Sequence, residues 1–184
     1  MATSYVSLTE IKAYLDITGS TYDSVISAFE NESVAEFNSI CNRNFATASG
    51  TVYKFDNFEE TLIIKDIPIT TLTSIYNDTT LIASTQYSAD LTNGIIYNLG
   101  AYLSNKQKIL VTCNTGYSEA NIPQDIKKAI LIRVKIEWLK FKKGKNLFGI
   151  SSHSTEVASE SYDFDIEYSY FQKTANRYKV LVYV

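Results

Sequence analysis

Few residues in this 184-residue chain have types and spacings that could carry chemistry. His153, the single histidine, lies between Ser151-Ser152 and Ser154, so an imidazole and hydroxyls are neighbours in sequence. Nucleophilic catalysis needs that base held rigidly by a third group. A serine-rich stretch supplies none, and a polar loop is the expected reading. Carboxylates pair at Glu59-Glu60 and alternate through Asp163, Asp165 and Glu167. Acid–base work requires two carboxyls whose pKa values are pushed apart. The first pair reads as a turn and the second as one solvated strand face. As a metal site, the ladder lacks the turn glycine and tight loop of a calcium hand. Cys41 and Cys113 are expected to be buried free thiols. With one histidine the chain cannot assemble a His/Cys zinc site. No glycine-rich phosphate cradle occurs. The expectation is no catalytic residue, no metal, no cofactor, and not an enzyme.

Charge offers a different chemistry. Between Gln124 and Lys145 eight cations face two acids, a balance of +6, whereas Ser154 to Tyr170 holds five acids and no cation. Such separation predicts contact between complementary surfaces, within a subunit or between copies. Lys128, Lys135 and Lys142 recur at i, i+7 and i+14 and so share one helix face. Base-reading helices favour Arg, Asn or Gln there, so these lysines suit an intersubunit surface or nonspecific contact with DNA phosphates. The fourteen tyrosines admit a carbohydrate platform, but most fall in strand-like stretches where cross-strand pairing accounts for them.

The elements that would position these residues follow from periodicity. Ser7-Leu8-Thr9-Glu10 has capping-box spacing and opens a helix over 7–16, which Gly19 ends. A second helix over 22–42 carries Ile26, Phe29, Phe37, Ile40 and Cys41 on its apolar face, with Glu30, Glu32 and Glu36 pointing elsewhere. Short strands with turn signals at Asn57–Glu60, Asn77-Asp78 and Asn93-Gly94 predict an antiparallel β insertion over 51–115. Pro123 opens a third helix over 123–143, apolar over a wide arc and therefore packed on two neighbours, which Gly144 stops. Tyr162, Phe164, Ile166, Tyr168 and Tyr170 alternate with acids, predicting a strand with one aromatic and one acidic face. The expected fold is α+β: a bundle of about three main helices with an inserted small antiparallel sheet and an extended C-terminal arm. A core over 1–143 and a linker with extension over 144–184 are the expected domains. No window suits a transmembrane helix, and Met1 to Leu8 lacks the basic and apolar regions of a signal peptide.

Three stretches, in order, resemble the head-to-tail connector (adaptor, head completion) proteins of tailed phages: Tyr5 to Leu15; Cys41-Asn42-Arg43-Asn44-Phe45 at a helix end; and Gly94 to Tyr97, Val111 to Tyr117 and Ile122 to Ala129. The aromatic–acidic tail departs from that pattern. The resemblance implies a structural virion protein at the head–tail interface, assembled in a bacterial cytoplasm. It further implies a ring of about twelve copies docked on the portal protein, meeting a stopper or tail protein, with double-stranded DNA in the lumen. The tail set Tyr162, Phe164, Ile166, Tyr168, Tyr170 and Phe171 is the expected partner-binding segment, acting by strand addition, and its removal is expected to leave the fold intact. The competing readings are a nonspecific DNA-binding accessory protein and a carbohydrate-binding virion module.

Overall fold

The computed structural model describes residues 4–100, 103–147 and 164–180. They form two compact units: residues 1–42 with 122–184, which are helical, and residues 43–121, which are strands.

In the helical unit, α1 (Leu8–Leu15) begins with the expected capping box: Ser7 Oγ accepts from the Glu10 amide while the Glu10 carboxylate accepts from Ser7. The helix ends earlier than Gly19, at Leu15, with Asp16 in the left-handed region (φ 53°). Helix α2 (Asp23–Cys41) buries Ile26, Val34, Phe37 and Cys41. Glu32 is exposed, but Glu30 departs from the expected polar face and is 4% exposed. Its carboxylate satisfies the backbone amide of Tyr5 at 2.8 Å, tying down the segment before α1. Helix α3 (Gln124–Leu147) packs on α1, α2 and α4. Both of its apolar stripes are used: Ile126, Ile130, Val134 and Trp138 are buried, as are Ile132 and Ile136. Gly144 does not stop the helix, which continues to Leu147. A helix-interior glycine costs only about 1 kcal/mol, and ending a helix requires a left-handed cap as well.

The largest correction concerns the tail. Of the strand expected over Tyr162 to Tyr170, the described part, Phe164 to Tyr170, is instead helical and belongs to α4 (Phe164–Arg177). Phe171 and Ala175 are fully buried and Thr174 nearly so. Phe164, Tyr168, Phe171 and Ala175 follow 4-3-4 spacing, so a helical apolar stripe underlies the alternating pattern. Packing against α2 and α3 selects it, because a lone strand leaves its backbone groups unpaired.

In the strand unit the named strands pair antiparallel, as expected, in two sheets, and a parallel bridge joins Ala46 to Tyr117. One holds four strands in the order β1 (Ala48–Phe58), β7 (Leu103–Thr115), β3 (Ile69–Asn77) and β4 (Thr80–Leu81). The other orders β2 (Thr61–Ile63), β6 (Ile95–Asn98) and β5 (Tyr87–Asp90). Phe58, Ile64, Ile75, Ile96, Ile109, Val111 and Cys113 fill the core between them. The Asn93-Gly94 cue marks the β5–β6 turn. Gly94 has φ 69°, and a Cβ there would lie 2.6 Å from the Ile64 carbonyl oxygen.

Candidate assembly interface

Of the residues singled out for chemistry, Ser151, Ser152, His153, Ser154, Tyr162 and Asp163 lie outside the described residues. Glu59 and Glu60 are exposed in the turn between β1 and β2. Asp165 and Glu167, expected on one strand face, sit in the first turn of α4. Among the described residues, no three His, Cys, Asp or Glu side chains are grouped to hold a metal ion. Cys41 and Cys113 are free and buried. Burial pushes the Cys113 thiol up to about 11, with the nearby Asp66 charge adding to the rise.

The helical conformation of the tail separates its aromatic set. Phe171 enters the core edge-on to Phe37, with ring centroids 5.6 Å apart. Tyr168 stacks on Phe171 and donates to Glu36 Oε1 at 2.7 Å. That bond, together with desolvation, raises the phenol's pKa. Tyr170 lies under Lys128, 5.2 Å from Nζ to the ring centroid. Ile166 is 69% exposed. Phe164 opens the helix.

The basic face is likewise divided. Lys135 Nζ binds Glu167 Oε1 at 2.9 Å, and Arg177 Nη2 reaches Asp125 Oδ2 at 3.4 Å. Tyr178 donates to both Asp125 oxygens. The charge asymmetry read from the sequence is therefore met, in part, inside one chain between α3 and α4. Lys128 and Lys142 are exposed, the latter over the Tyr22 and Trp138 rings at 5.4 and 5.1 Å. Beside them Arg133 joins Glu36, at 2.8 Å, to Glu137, which also accepts from Lys140 at 3.1 Å. Burial opposes ionisation of Glu137, but its bonds to Arg133 and Lys140 outweigh it, and the carboxyl stays below its ordinary range.

The short motifs prove to be joints of the backbone. Asn42 caps α2 in the left-handed region (φ 54°). The Arg43 guanidinium lies 4.3 Å from the centroid of the Phe45 ring and donates to the Ile67 carbonyl. The Asn44 amide donates to Asp66, whose other oxygen accepts from Tyr53 at 2.7 Å. Gly116 (φ 88°) passes so close to the Ala46 carbonyl that a Cβ would overlap it. On either side of this contact, Tyr117 N donates to Phe45 O and Thr47 N to Tyr117 O. These contacts hold the backbone segments around 43–47, 66–67 and 116–117 together.

Among the described residues of the strand unit, two surfaces expose large apolar side chains. Lys54, Leu110, Tyr76 and Leu81 form one row across the four-stranded sheet. Leu81 is 56% exposed, and Val52 stands beside the row on the same face. On the outer face of the other sheet, Ile63 and Ile95 pair, with Tyr97 beside them. Neither surface was marked by the sequence, because alternation reveals two faces of a strand without saying which is covered.

The head completion protein family model matches residues 4–155. This chain belongs to that family. Head completion proteins are structural virion proteins of the head–tail connection, not enzymes. The head completion fold seen here is similar to solved chains of a gene transfer agent particle. A chain from the neck of an empty gene transfer agent particle, computed with C6 symmetry, aligns at TM-score 0.60 and 14% identity, covering 98% of this chain and 92% of that one. A chain from the native virion aligns at 0.54 and 14%, covering 100% and 95%. A chain from the native neck, computed with C12 symmetry, aligns at 0.50 and 12%, covering 100% and 96%. No curated protein matches the sequence significantly.

Proposed function

We propose that this head completion protein is the subunit of an adaptor ring of about twelve copies, seated between the portal and a stopper or tail protein, with double-stranded DNA passing through its lumen. The observation that carries this reading is the likeness of nearly the whole chain to a chain from a particle neck. Closed rings of one chain use heterologous contacts, in which two different patches of the same surface meet. The Lys54–Leu81 row and the Ile63–Tyr97 face supply two such patches. Lys128 and Lys142 are the exposed part of the basic face and suit sequence-independent phosphate contact or a neighbouring copy. Among the described side chains of the tail set, Ile166 is the most open to a partner.

Native mass spectrometry over a wide concentration range, alone and with purified portal, tests the reading. A discrete closed oligomer in either condition is expected. A chain that stays monomeric and leaves the portal unbound overturns it.

A further inference from the structure

Every inter-helix contact of α4 described above goes to α2 or α3. Its anchors Phe171, Thr174 and Ala175 are buried, and its polar ties are Glu167 to Lys135, Tyr168 to Glu36, and Arg177 to Asp125. The Cys41 thiol donates to the Ala175 carbonyl, and Val180 N donates to Cys41 O. The groove on α2 and α3 is thus complete in itself and recognises α4 through surfaces that do not depend on how α4 is attached.

The attachment is longer than that docking needs. Contacts of residues 167, 170 and 177 with 135, 128 and 125 run α4 antiparallel to α3, so α4 begins beside the middle of α3. Closing the path from Leu147 back to Phe164 requires about 20 Å, from a helix rise of 1.5 Å per residue and a helix spacing of 8–10 Å. Sixteen residues lie between them, with a contour of about 55 Å. That contour exceeds the path by about 35 Å.

We propose that in the assembled ring α4 is exchanged between copies, each helix docking in the α2–α3 groove of its neighbour. The same contacts form in either arrangement, so exchange links subunits at little conformational cost. The connection also raises the effective concentration of α4 at an adjacent groove once subunits are in contact. The proposal rests on the ring reading and names the element that fastens it.

The test uses the full chain, prepared with light and heavy nitrogen, mixed in denaturant, refolded, and assembled alone or on portal. A carbodiimide that joins a lysine directly to a carboxylate will couple Lys135 to Glu167 in place. Exchange predicts that about half of the Lys135–Glu167 crosslinks in the oligomer carry one light and one heavy peptide. The Lys12–Asp23 pair, 2.8 Å apart, serves as the internal control and stays isotopically matched. Deleting residues 151–160 leaves six connecting residues, about 23 Å of contour, enough for the chain's own groove only. That variant is expected to fold and to lose the mixed crosslinks. An oligomer with matched crosslinks alone, or mixed crosslinks persisting in the deletion, overturns the exchange and leaves the ring standing. Absence of any oligomer in both conditions overturns both.

Discussion

Lys135 on α3 holds Glu167 on α4 at 2.9 Å, with the two side chains 33% and 31% exposed. Water screens such a pair, so its worth is below about 1 kcal/mol. Glu167→Gln should therefore shift a urea unfolding midpoint slightly. Phe171→Ala, by contrast, empties a fully buried site against Phe37 and should cost about 3–5 kcal/mol. Similar losses for the two variants would show that charge, not packing, seats α4.

Removal of residues 161–184 takes Phe171 and Ala175 out of the core and uncovers Phe37 and Cys41. The truncated chain should show a lowered unfolding midpoint and increased binding of a hydrophobic dye. A truncation with the midpoint of the full chain would restore the detachable-arm reading that the alternating pattern first suggested.

Acid should loosen the helical unit. The Glu10 carboxyl is held below its ordinary value by side-chain and backbone bonds from Ser7, aided by Lys127. Glu137 is depressed by Arg133 and Lys140 despite burial. A carboxyl with a depressed folded-state pKa contributes stability that is present above about pH 4.5 and is lost as pH falls through the folded value. Unfolding midpoints measured from pH 6 to 3 should drop across that window, and less steeply in Glu10→Gln. A flat profile would contradict the assignment.

Gly116→Ala should destabilise the strand unit by at least about 1 kcal/mol, because φ is 88° and the added methyl overlaps the Ala46 carbonyl. Gly50→Ala, also at positive φ but with nothing near its Cβ, carries the conformational strain alone and should cost less. Thermal unfolding of both variants checks the difference.

Both thiols are fully buried, and Cys113 is further protected by a pKa near 11. Native protein should react with an aromatic disulfide reagent only as fast as it opens, and denatured protein should yield two thiols at once.

The sequence revealed elements whose signals are local. Ser7 and Glu10 announced a helix start because a capping box is a contact between residues three apart, and Asn93-Gly94 marked a turn because only few residues accept a positive φ. It misled at Phe164 to Tyr170, where a period-2 and a 3.6-residue pattern coexist and long-range packing on Phe37 chooses between them. Glu30 was misplaced for the same kind of reason: its partner, the Tyr5 amide, lies 25 positions away. The open rows on the sheets were invisible because the solvent-facing side of a sheet is a property of the whole unit.

The stapled pair of chain crossings at 45–47 and 117 has a consequence for synthesis. The 82 residues between Cys41 and Gln124 separate α2 from the helix it packs against. When the chain emerges from the ribosome, α1 and α2 wait with their apolar faces uncovered, while the strands can close on themselves by joining their own two ends. Vectorial growth thus favours finishing the middle of the molecule first, and α4, which emerges after the other described helices, is the one that covers Phe37 and Cys41 of α2.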